Sequence, residues 1–332
     1  MSSSVKFIQH QRRGPFHFIC LPGLVPDGPE TFLRQRSLLH KHGTVSIATW
    51  PHAKFDLDTV LEGIGRRIED AANSHQKPVV MAVSFGGSIY LELLRRAKAA
   101  GQVLPVAANL LISPMPGPKD LSPLLARLVK PISEQAGLDD AHARVALERG
   151  RSFFRMLAAK SAGVETTELR WNTFLTPTGI RRYQEGRIRG RIEATLASIP
   201  TDGAIERICA LTSLQGIDER TGVLSDAPTL ILWGSREGHT LNMEGPGTSL
   251  LSRPDLAARI FPNTEVQFIY DRDGEVVPHA SLLKHAKAFN PMLQRFLIRQ
   301  HRRLHAHRFL RLPFLDKLGE KAKAAEIRAH VG

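Results

Sequence analysis

The sequence predicts an α/β protein in which a mostly parallel central sheet is covered by helices and interrupted by a helical insertion. Three observations support this prediction. Before residue 119, short apolar runs alternate with segments of helical periodicity. From 119 to 226 the periodicity is helical throughout, and after Pro228 the apolar runs return. Strands that are apolar almost without interruption are typical of a parallel sheet buried on both faces.

The first elements are short apolar runs that end at turn residues. Phe16 to Leu21 ends at Pro22-Gly23, and Val45 to Trp50 ends at a proline, as expected of strands that run into turns. A helix capped by Asp58 is predicted next. Its apolar residues recur at helical spacing, at Val60, Leu61, Ile64 and Ile68. Further strands are predicted at Val79 to Val83, Val106 to Ile112, Thr229 to Trp233 and Val266 to Tyr270.

The third predicted strand breaks at Ser84 within Ala82-Val83-Ser84-Phe85-Gly86-Gly87, and a helical segment follows at once. Nucleophilic catalysis by serine needs this arrangement, because the hydroxyl must project from a sharp bend while the next N–H faces a developing oxyanion. Small flanking residues permit such a bend. The alternative interpretation is a plain turn at the end of a strand.

The pattern divides the chain into four parts. Residues 1–118 and 227–298 are expected to form one core, 119–226 a helical cap inserted into it, and 299–332 a basic helical extension. Helices of the cap are predicted near Leu121 to Ala136, Ala141 to Ala159, Thr178 to Ile199 and Asp202 to Leu211. From Arg295 to Arg311, arginine and histidine surround apolar residues, so this helix either packs on the core or makes peripheral contact with an anionic membrane.

Composition restricts the class of protein and its partners. Lys and Arg number 45 against 32 Asp and Glu, a formal charge of +13 that favours anionic partners. No nucleic-acid-binding motif accompanies this charge, so we expect no nucleic-acid partner. Neither the two cysteines nor the 14 histidines follow a metal-site spacing, and we expect no metal and no cofactor. The N-terminal residues lack the apolar segment of a signal peptide, which predicts a cytoplasmic protein.

From Phe16 to about Ile298 the chain resembles an α/β-hydrolase of the esterase and lipase superfamily that carries a helical cap. The resemblance implies that Ser84 is the nucleophile. It also implies that the backbone N–H groups of Leu24, after the first strand, and of Phe85 receive the oxyanion. The acid of this family follows the strand after the cap, and Trp233-Gly234-Ser235-Arg236-Glu237 matches that position with Glu237. The alternative for Glu237 is a solvated carboxylate paired with Arg236 or Arg272.

The chain departs from the family pattern at the base. The family places its histidine directly after a glycine beyond the last strand, but here the loop reads Asp273-Gly274-Glu275-Val276-Val277-Pro278-His279. Glu275 therefore stands at the histidine position, and His279 stands where a helix is expected to begin. A serine hydroxyl is a poor nucleophile unless a base takes its proton.

Three interpretations follow from this departure. In the first, the loop is shifted and His279 or His239 reaches Ser84. In the second, Glu275 is the base or orients a water molecule. In the third, the protein does not hydrolyse substrates and binds a small ligand or a protein partner.

The expected function is hydrolysis of a carboxylic ester or thioester through an acyl-enzyme at Ser84, and the alternative is a non-hydrolytic binding protein of the same fold. Arginines crowd the predicted cap, at positions 170, 181, 182, 187, 189 and 191. Arginine suits the recognition of carboxylate or phosphate groups, so an anionic small-molecule acyl substrate is expected, such as an acidic acyl group, a coenzyme-A or carrier-bound thioester, or a phospholipid. The alternative is that these bases form only a solvated helix face.

Overall fold

A computed structural model describes residues 4–25, 28–134, 141, 144–145, 147–152, 155, 190–270, 274 and 276–310, with the backbone alone for 305–310. The chain divides into a unit of residues 1–291 and a unit of residues 292–332. The strands of the first unit are β1 (Lys6–His10), β2 (Phe16–Leu21), β3 (Gly43–Thr49), β4 (Lys77–Val83), β5 (Ala108–Ile112), β6 (Thr229–Gly234) and β7 (Thr264–Ile269).

The helices are numbered in the same way. They are α1 (Gly28–Thr31), α2 (Arg36–Leu39), α3 (Leu57–Ala72), α4 (Phe85–Ala99), α5 (Pro123–Glu134), α6 (Thr201–Ser213), α7 (Pro246–Ser252), α8 (Pro254–Ala257) and α9 (Ala286–Leu310). Residues 190–198 are also helical, and Pro118–Asp120 form one turn of 3₁₀-helix.

The strands form one seven-stranded sheet in the order β1-β3-β2-β4-β5-β6-β7. All neighbours are parallel except β1, which pairs antiparallel with β3 through Lys6 opposite Thr49. Every residue of β2, β5 and β6 is buried, as expected of strands covered on both faces. The predicted α/β fold with a mostly parallel sheet is therefore confirmed.

Two details of the first elements differ from the prediction. Strand β1 was not predicted, because most of its residues are polar or exposed and no apolar run marks it. The cap of α3 is Asp56 rather than Asp58, since the Asp56 side chain accepts a hydrogen bond from Thr59 N at 2.7 Å. Asp58 lies within the first turn of α3 and pairs with Arg96 at 2.5 Å.

The core lies between the sheet and the helices packed on it. Helices α3 and α4 both contact β2 and β4, and α3 contributes buried side chains at the predicted spacing, Val60, Leu61, Ile64, Ile68 and Ala71. An aromatic cluster of Trp50, Phe55 and Phe85, with ring centroids about 6 Å apart, lies beyond the carboxyl ends of β3 and β4. This packing fixes the first turn of α4 against the sheet.

The predicted insertion is described only in part. Helices α5 and α6 pack against each other, and α6 closely matches the helix predicted from Asp202 to Leu211. The cap arginines other than Arg191 lie outside the described residues. The cap as a separate unit, and the four domain boundaries, remain predictions.

The second unit is described through α9. This helix starts at Ala286, and residues 311–332 of the basic extension lie outside the described part. Within it, the Arg299 guanidinium lies 5.9 Å from the Phe296 ring centroid. Among the described residues, none of the helices combines the length and apolar character that a membrane crossing needs.

Candidate active site

Ser84 lies on a sharp turn between β4 and α4. Its φ of 49° and ψ of −115° are rare for a residue with a side chain. Hydrogen bonds on both sides fix the turn: Ser84 N donates to Ile112 O at 3.0 Å, and Ser84 O accepts from Ser88 N and Met115 N, each at 3.2 Å. The end of β5 and the start of α4 therefore hold the serine in this strained conformation.

The two glycines after Ser84 allow α4 to approach its neighbours. A Cβ atom at Gly86 would lie 2.4 Å from Leu21 O, and one at Gly87 would lie 2.9 Å from Pro114 Cα. Both distances are shorter than a non-bonded contact allows, so larger residues would push α4 away from the loops after β2 and β5. The small residues around the turn are therefore needed for the close packing of these loops.

His279 connects Ser84 to Glu237. Its Nε2 lies 2.7 Å from Ser84 Oγ, and its Nδ1 lies 2.5 Å from Glu237 Oε2. Because a carboxylate only accepts hydrogen bonds, Nδ1 carries the proton and donates it, which leaves Nε2 to accept from the serine hydroxyl. The His279 side chain is 12% exposed, so the serine, the imidazole and the carboxylate form one nearly buried chain of hydrogen bonds.

Glu237 is held by two more donors. Its Oε1 accepts from Gly234 N and from Ser113 Oγ, both at 2.6 Å, and its side chain is 1% exposed. The alternative of a solvated carboxylate paired with Arg236 is wrong, because Glu237 is buried while Arg236 is exposed. Arg272 lies outside the described residues.

The loop that carries His279 is bonded to the segment after β6. Arg236 N donates to Val277 O, and Val277 N donates to Ser235 Oγ, each at 3.0 Å. Ala280 N donates to Ser113 Oγ at 3.0 Å. Since α9 does not begin until Ala286, residue 279 lies in a turn, where its side chain reaches Ser84.

These bonds correct the expectation that a helix begins at His279. Of the three interpretations of this loop, the geometry agrees with the first, with His279 as the partner of Ser84. His239, the other candidate in that interpretation, is exposed. Glu275 lies outside the described residues.

The loop after β2 lies beside the nucleophile. A Cβ atom at Gly23 would lie 3.5 Å from Ser84 Cβ, and Trp50 Nε1 donates to Gly23 O at 2.9 Å. In the described part of the chain, neither Leu24 N nor Phe85 N donates a hydrogen bond. The two N–H groups that the resemblance assigns to an oxyanion are thus unpaired. Leu24 follows Gly23 in the loop beside Ser84, and Phe85 directly follows Ser84.

Comparison with known proteins gives the fold. No protein-family model matches the chain, and no curated protein matches its sequence. Among solved structures, a malate-bound esterase from Thermogutta terrifontis is 14% identical and covers 90% of this chain and 94% of its own, with a TM-score of 0.56. An esterase from Exiguobacterium antarcticum is 13% identical, with coverages of 88% and 95% and a TM-score of 0.54. An alpha/beta hydrolase from Sphaerobacter thermophilus is 16% identical, with the same coverages and a TM-score of 0.50.

The chain has the α/β-hydrolase fold.

A small apolar cavity of about 50 Å³ lies beside Leu24 in this α/β-hydrolase fold. The other apolar residues around the cavity come from the loop after β2 and from the insertion, and they include Val25, Leu147, Leu196, Ile199 and Ile208.

Two arginines at this cavity are bonded to backbone carbonyls. Arg151 donates to Ile199 O at 2.8 Å, and Arg207, which is 3% exposed, donates to Trp50 O and Pro51 O at 3.2 and 2.9 Å. Their guanidinium groups are thus engaged at the wall of the cavity, which leaves its interior apolar.

Sequence analysis missed one residue of this α/β-hydrolase site, Ser113. It follows β5 directly, is fully buried, and has a φ of 42°. Its Oγ joins the carboxylate of Glu237 to the backbone of Ala280. The signal was available, because Ser84 and Ser113 end neighbouring parallel strands whose carboxyl ends meet at one edge of the sheet.

Metal-binding groups are absent from the described part of this α/β-hydrolase fold. No set of three His, Cys, Asp or Glu side chains there is close enough to hold an ion. Burial raises the pKa of both cysteine thiols, at Cys20 and Cys209, the second with the help of Glu206. A thiol with a raised pKa carries little thiolate at neutral pH and is a poor nucleophile.

Proposed function

We propose that the protein hydrolyses a carboxylic ester or thioester through an acyl-enzyme at Ser84. The observation that carries this proposal is the continuous chain of hydrogen bonds from Ser84 Oγ through His279 to Glu237. Serine alone reacts slowly, and a hydrogen-bonded imidazole oriented by a buried carboxylate is the arrangement that activates it. The fold shared with solved esterases is consistent with this reaction.

The proposed reaction has two halves. His279 Nε2 removes the Ser84 proton as Oγ attacks the substrate carbonyl carbon, and the oxyanion receives hydrogen bonds from Leu24 N and Phe85 N. His279 then protonates the leaving alkoxide or thiolate as the tetrahedral adduct collapses to the acyl-enzyme. In the second half a water molecule attacks the acyl carbon as His279 Nε2 takes its proton. His279 returns this proton to Ser84 Oγ as the acid product leaves.

The role of Glu237 in this reaction is electrostatic and positional. It holds the proton of His279 on Nδ1 and stabilises the imidazolium that forms when Ser84 is deprotonated. Gly234 N and Ser113 Oγ keep the carboxylate in place. Glu275 has no part in this proposal, since His279 takes the base position that the sequence left open.

The apolar cavity beside Leu24 suggests the polarity of the acyl group. Its two arginines are bonded to backbone carbonyls at the wall, so its interior offers apolar contacts. We therefore expect uncharged acyl groups to react faster than charged ones. An anionic substrate remains the prediction from the cap arginines that lie outside the described residues.

The proposal is tested with a fluorophosphonate probe and a series of p-nitrophenyl esters. Ser84→Ala should abolish labelling, and His279→Ala should lower kcat/KM by a factor of about 10³ or more. His239→Ala is the matched control, since it removes an exposed histidine a few residues from Glu237 and should leave activity unchanged. A probe that labels wild type and Ser84→Ala equally would refute the proposal.

A further inference from the structure

A second cavity, of about 660 Å³, opens at the edge of the sheet opposite Ser84. It lies at the amino ends of β2 and β3, between the segment that joins β1 to β2 and the last turns of α3. Ser84, in contrast, follows the carboxyl end of β4. The volume is within the range of roughly 300–1,000 Å³ that is usual for small-molecule sites, and the cavity is separate from the proposed active site.

The residues that line the cavity are polar or charged, with an excess of positive charge. Three arginines, Arg12, Arg13 and Arg67, line it against one carboxylate, Asp70. His17, which also lines it, is uncharged at neutral pH, because burial and the nearby Arg67 lower its pKa to about 4. The charged groups of the cavity therefore favour an anion.

Arg67 has a fixed guanidinium group but no carboxylate partner among the described residues. Its Nη2 donates to Ser46 Oγ at 2.7 Å and to Gln9 Oε1, and its guanidinium lies 5.7 Å from the Phe7 ring centroid. Its Nε is buried and has no hydrogen-bond partner in the described structure. Asp70 acts on Arg67 only at long range, since no ion pair joins them within 4.0 Å. A fixed, partly desolvated guanidinium attracts an anionic oxygen through the part of the group that faces the cavity.

The backbone of Arg12 is also fixed. Arg12 N donates to Thr44 Oγ1 at 3.2 Å, and Arg12 O accepts from Thr44 Oγ1 at 3.1 Å and from Gln76 Nε2 at 3.0 Å. Gln76 Nε2 also donates to Gly14 O at 3.0 Å. Because the segment is held to β3 and to the start of β4, Arg12 and Arg13 extend from an ordered backbone, which lowers the entropy lost on binding.

We propose that this cavity binds the phosphate groups of a small soluble di- or triphosphate. Two features favour phosphate over a single carboxylate. The excess of two guanidinium groups over carboxylates matches a ligand with at least two negative charges, and the planar guanidinium pairs well with the oxygens of a phosphoryl group. The site does not depend on the reaction at Ser84.

Inorganic pyrophosphate is the probe, titrated into the full-length protein by isothermal titration calorimetry at constant ionic strength. Wild type should bind it saturably, Arg67→Gln should weaken binding about ten-fold or more, and Arg12→Gln about five-fold, in line with the loss of charge-assisted hydrogen bonds. Arg66→Gln is the matched control. Arg66 precedes Arg67 on α3 and carries the same charge, but it is exposed and paired with Glu62 at 3.6 Å, so binding should change less than about two-fold.

Several results would overturn the proposal. They are the absence of saturable binding to wild type, an equal loss in Arg66→Gln and Arg67→Gln, and tighter binding of citrate than of pyrophosphate at the same ionic strength. Because Arg67 bonds Ser46, its replacement also affects stability, and circular dichroism of each variant checks the fold. Among the described residues, the Arg12 guanidinium bonds only the neighbouring Gln11 O. Wild-type affinity in Arg12→Gln would therefore refute the site independently of Arg67.

Discussion

Replacing Ser113 by alanine should damage the site without touching the three residues that we propose carry out the reaction. The Ser113 hydroxyl donates to Glu237 Oε1 at 2.6 Å and accepts from Ala280 N at 3.0 Å. Alanine removes both bonds and leaves the N–H of the residue after His279 without its acceptor. The carboxylate keeps its bonds to Gly234 N and His279, so it loses one donor of three.

The magnitude follows from these contacts. A hydrogen bond to a charged group contributes about 1.5–3 kcal/mol, and an unsatisfied partly buried N–H costs about 1 kcal/mol or more. The free energy of unfolding should fall by about 2–4 kcal/mol. If half of this energy is what aligns His279 with Ser84, kcat/KM should fall by a factor of about 10.

The assay combines urea unfolding with hydrolysis of a p-nitrophenyl ester. Removal of a positioning bond should lower kcat while KM stays within about two-fold of wild type, because the substrate contacts are unchanged. Ser113→Thr keeps a hydroxyl, so it should recover part of the activity if its methyl group is accommodated. Ser213→Ala is the control, since Ser213 bonds only a carbonyl of its own helix. Wild-type kcat in a folded Ser113→Ala protein would refute the reasoning.

Three further predictions concern other parts of the chain. The pKa of His17 is lowered to about 4 on folding. Acidification from about pH 6.5 to pH 4 should therefore destabilise the protein by up to about 3 kcal/mol, because the unfolded chain takes up the proton first. His17→Gln should remove this contribution to the pH dependence of the unfolding free energy, measured by urea titrations at several pH values. The Asp120 carboxylate accepts hydrogen bonds from Gly247 N, Thr248 N and Thr248 Oγ1 at the start of α7. Asp120→Ala removes this acceptor and should lower the free energy of unfolding by about 2–4 kcal/mol, measured by thermal unfolding. Asp120→Asn should cost less. Arg302 and Arg303 are both exposed. If the basic extension contacts anionic membranes, replacing both by glutamine should weaken binding to phosphatidylserine vesicles by about 1 kcal/mol per charge, measured by co-sedimentation. Unchanged binding would exclude a role for these two side chains.

The sequence was informative where local pattern and chemistry coincide. The strand before Ser84 is apolar and the residues after it are small, so both the turn and its position in the sheet could be predicted. Glu237 could be named because the resemblance to the α/β-hydrolases places an acid after the strand that follows the insertion. Strand β1 could not be predicted, since it is held by pairing with β3 rather than by an apolar pattern of its own.

The sequence left open whether His279, His239 or Glu275 reaches Ser84, because the answer depends on contacts between segments far apart in the chain. Val277 bonds the backbone of Arg236, and Ala280 bonds Ser113. These bonds set the path of the loop, and a count of residues after Gly274 contains no information about them. The offset of His279 from the family pattern therefore reflects the path of this loop.

In the described part of the chain, the non-glycine residues with left-handed φ values are Ser84, Ser113 and Ala280, and all three belong to the proposed site. Each such conformation costs on the order of 1–3 kcal/mol, which the surrounding hydrogen bonds and packing must offset. The carboxyl edge of the sheet thus concentrates conformational strain that the rest of the fold supports. Warming should relax this edge first, so that the proposed hydrolytic activity declines at a lower temperature than the one at which the sheet unfolds.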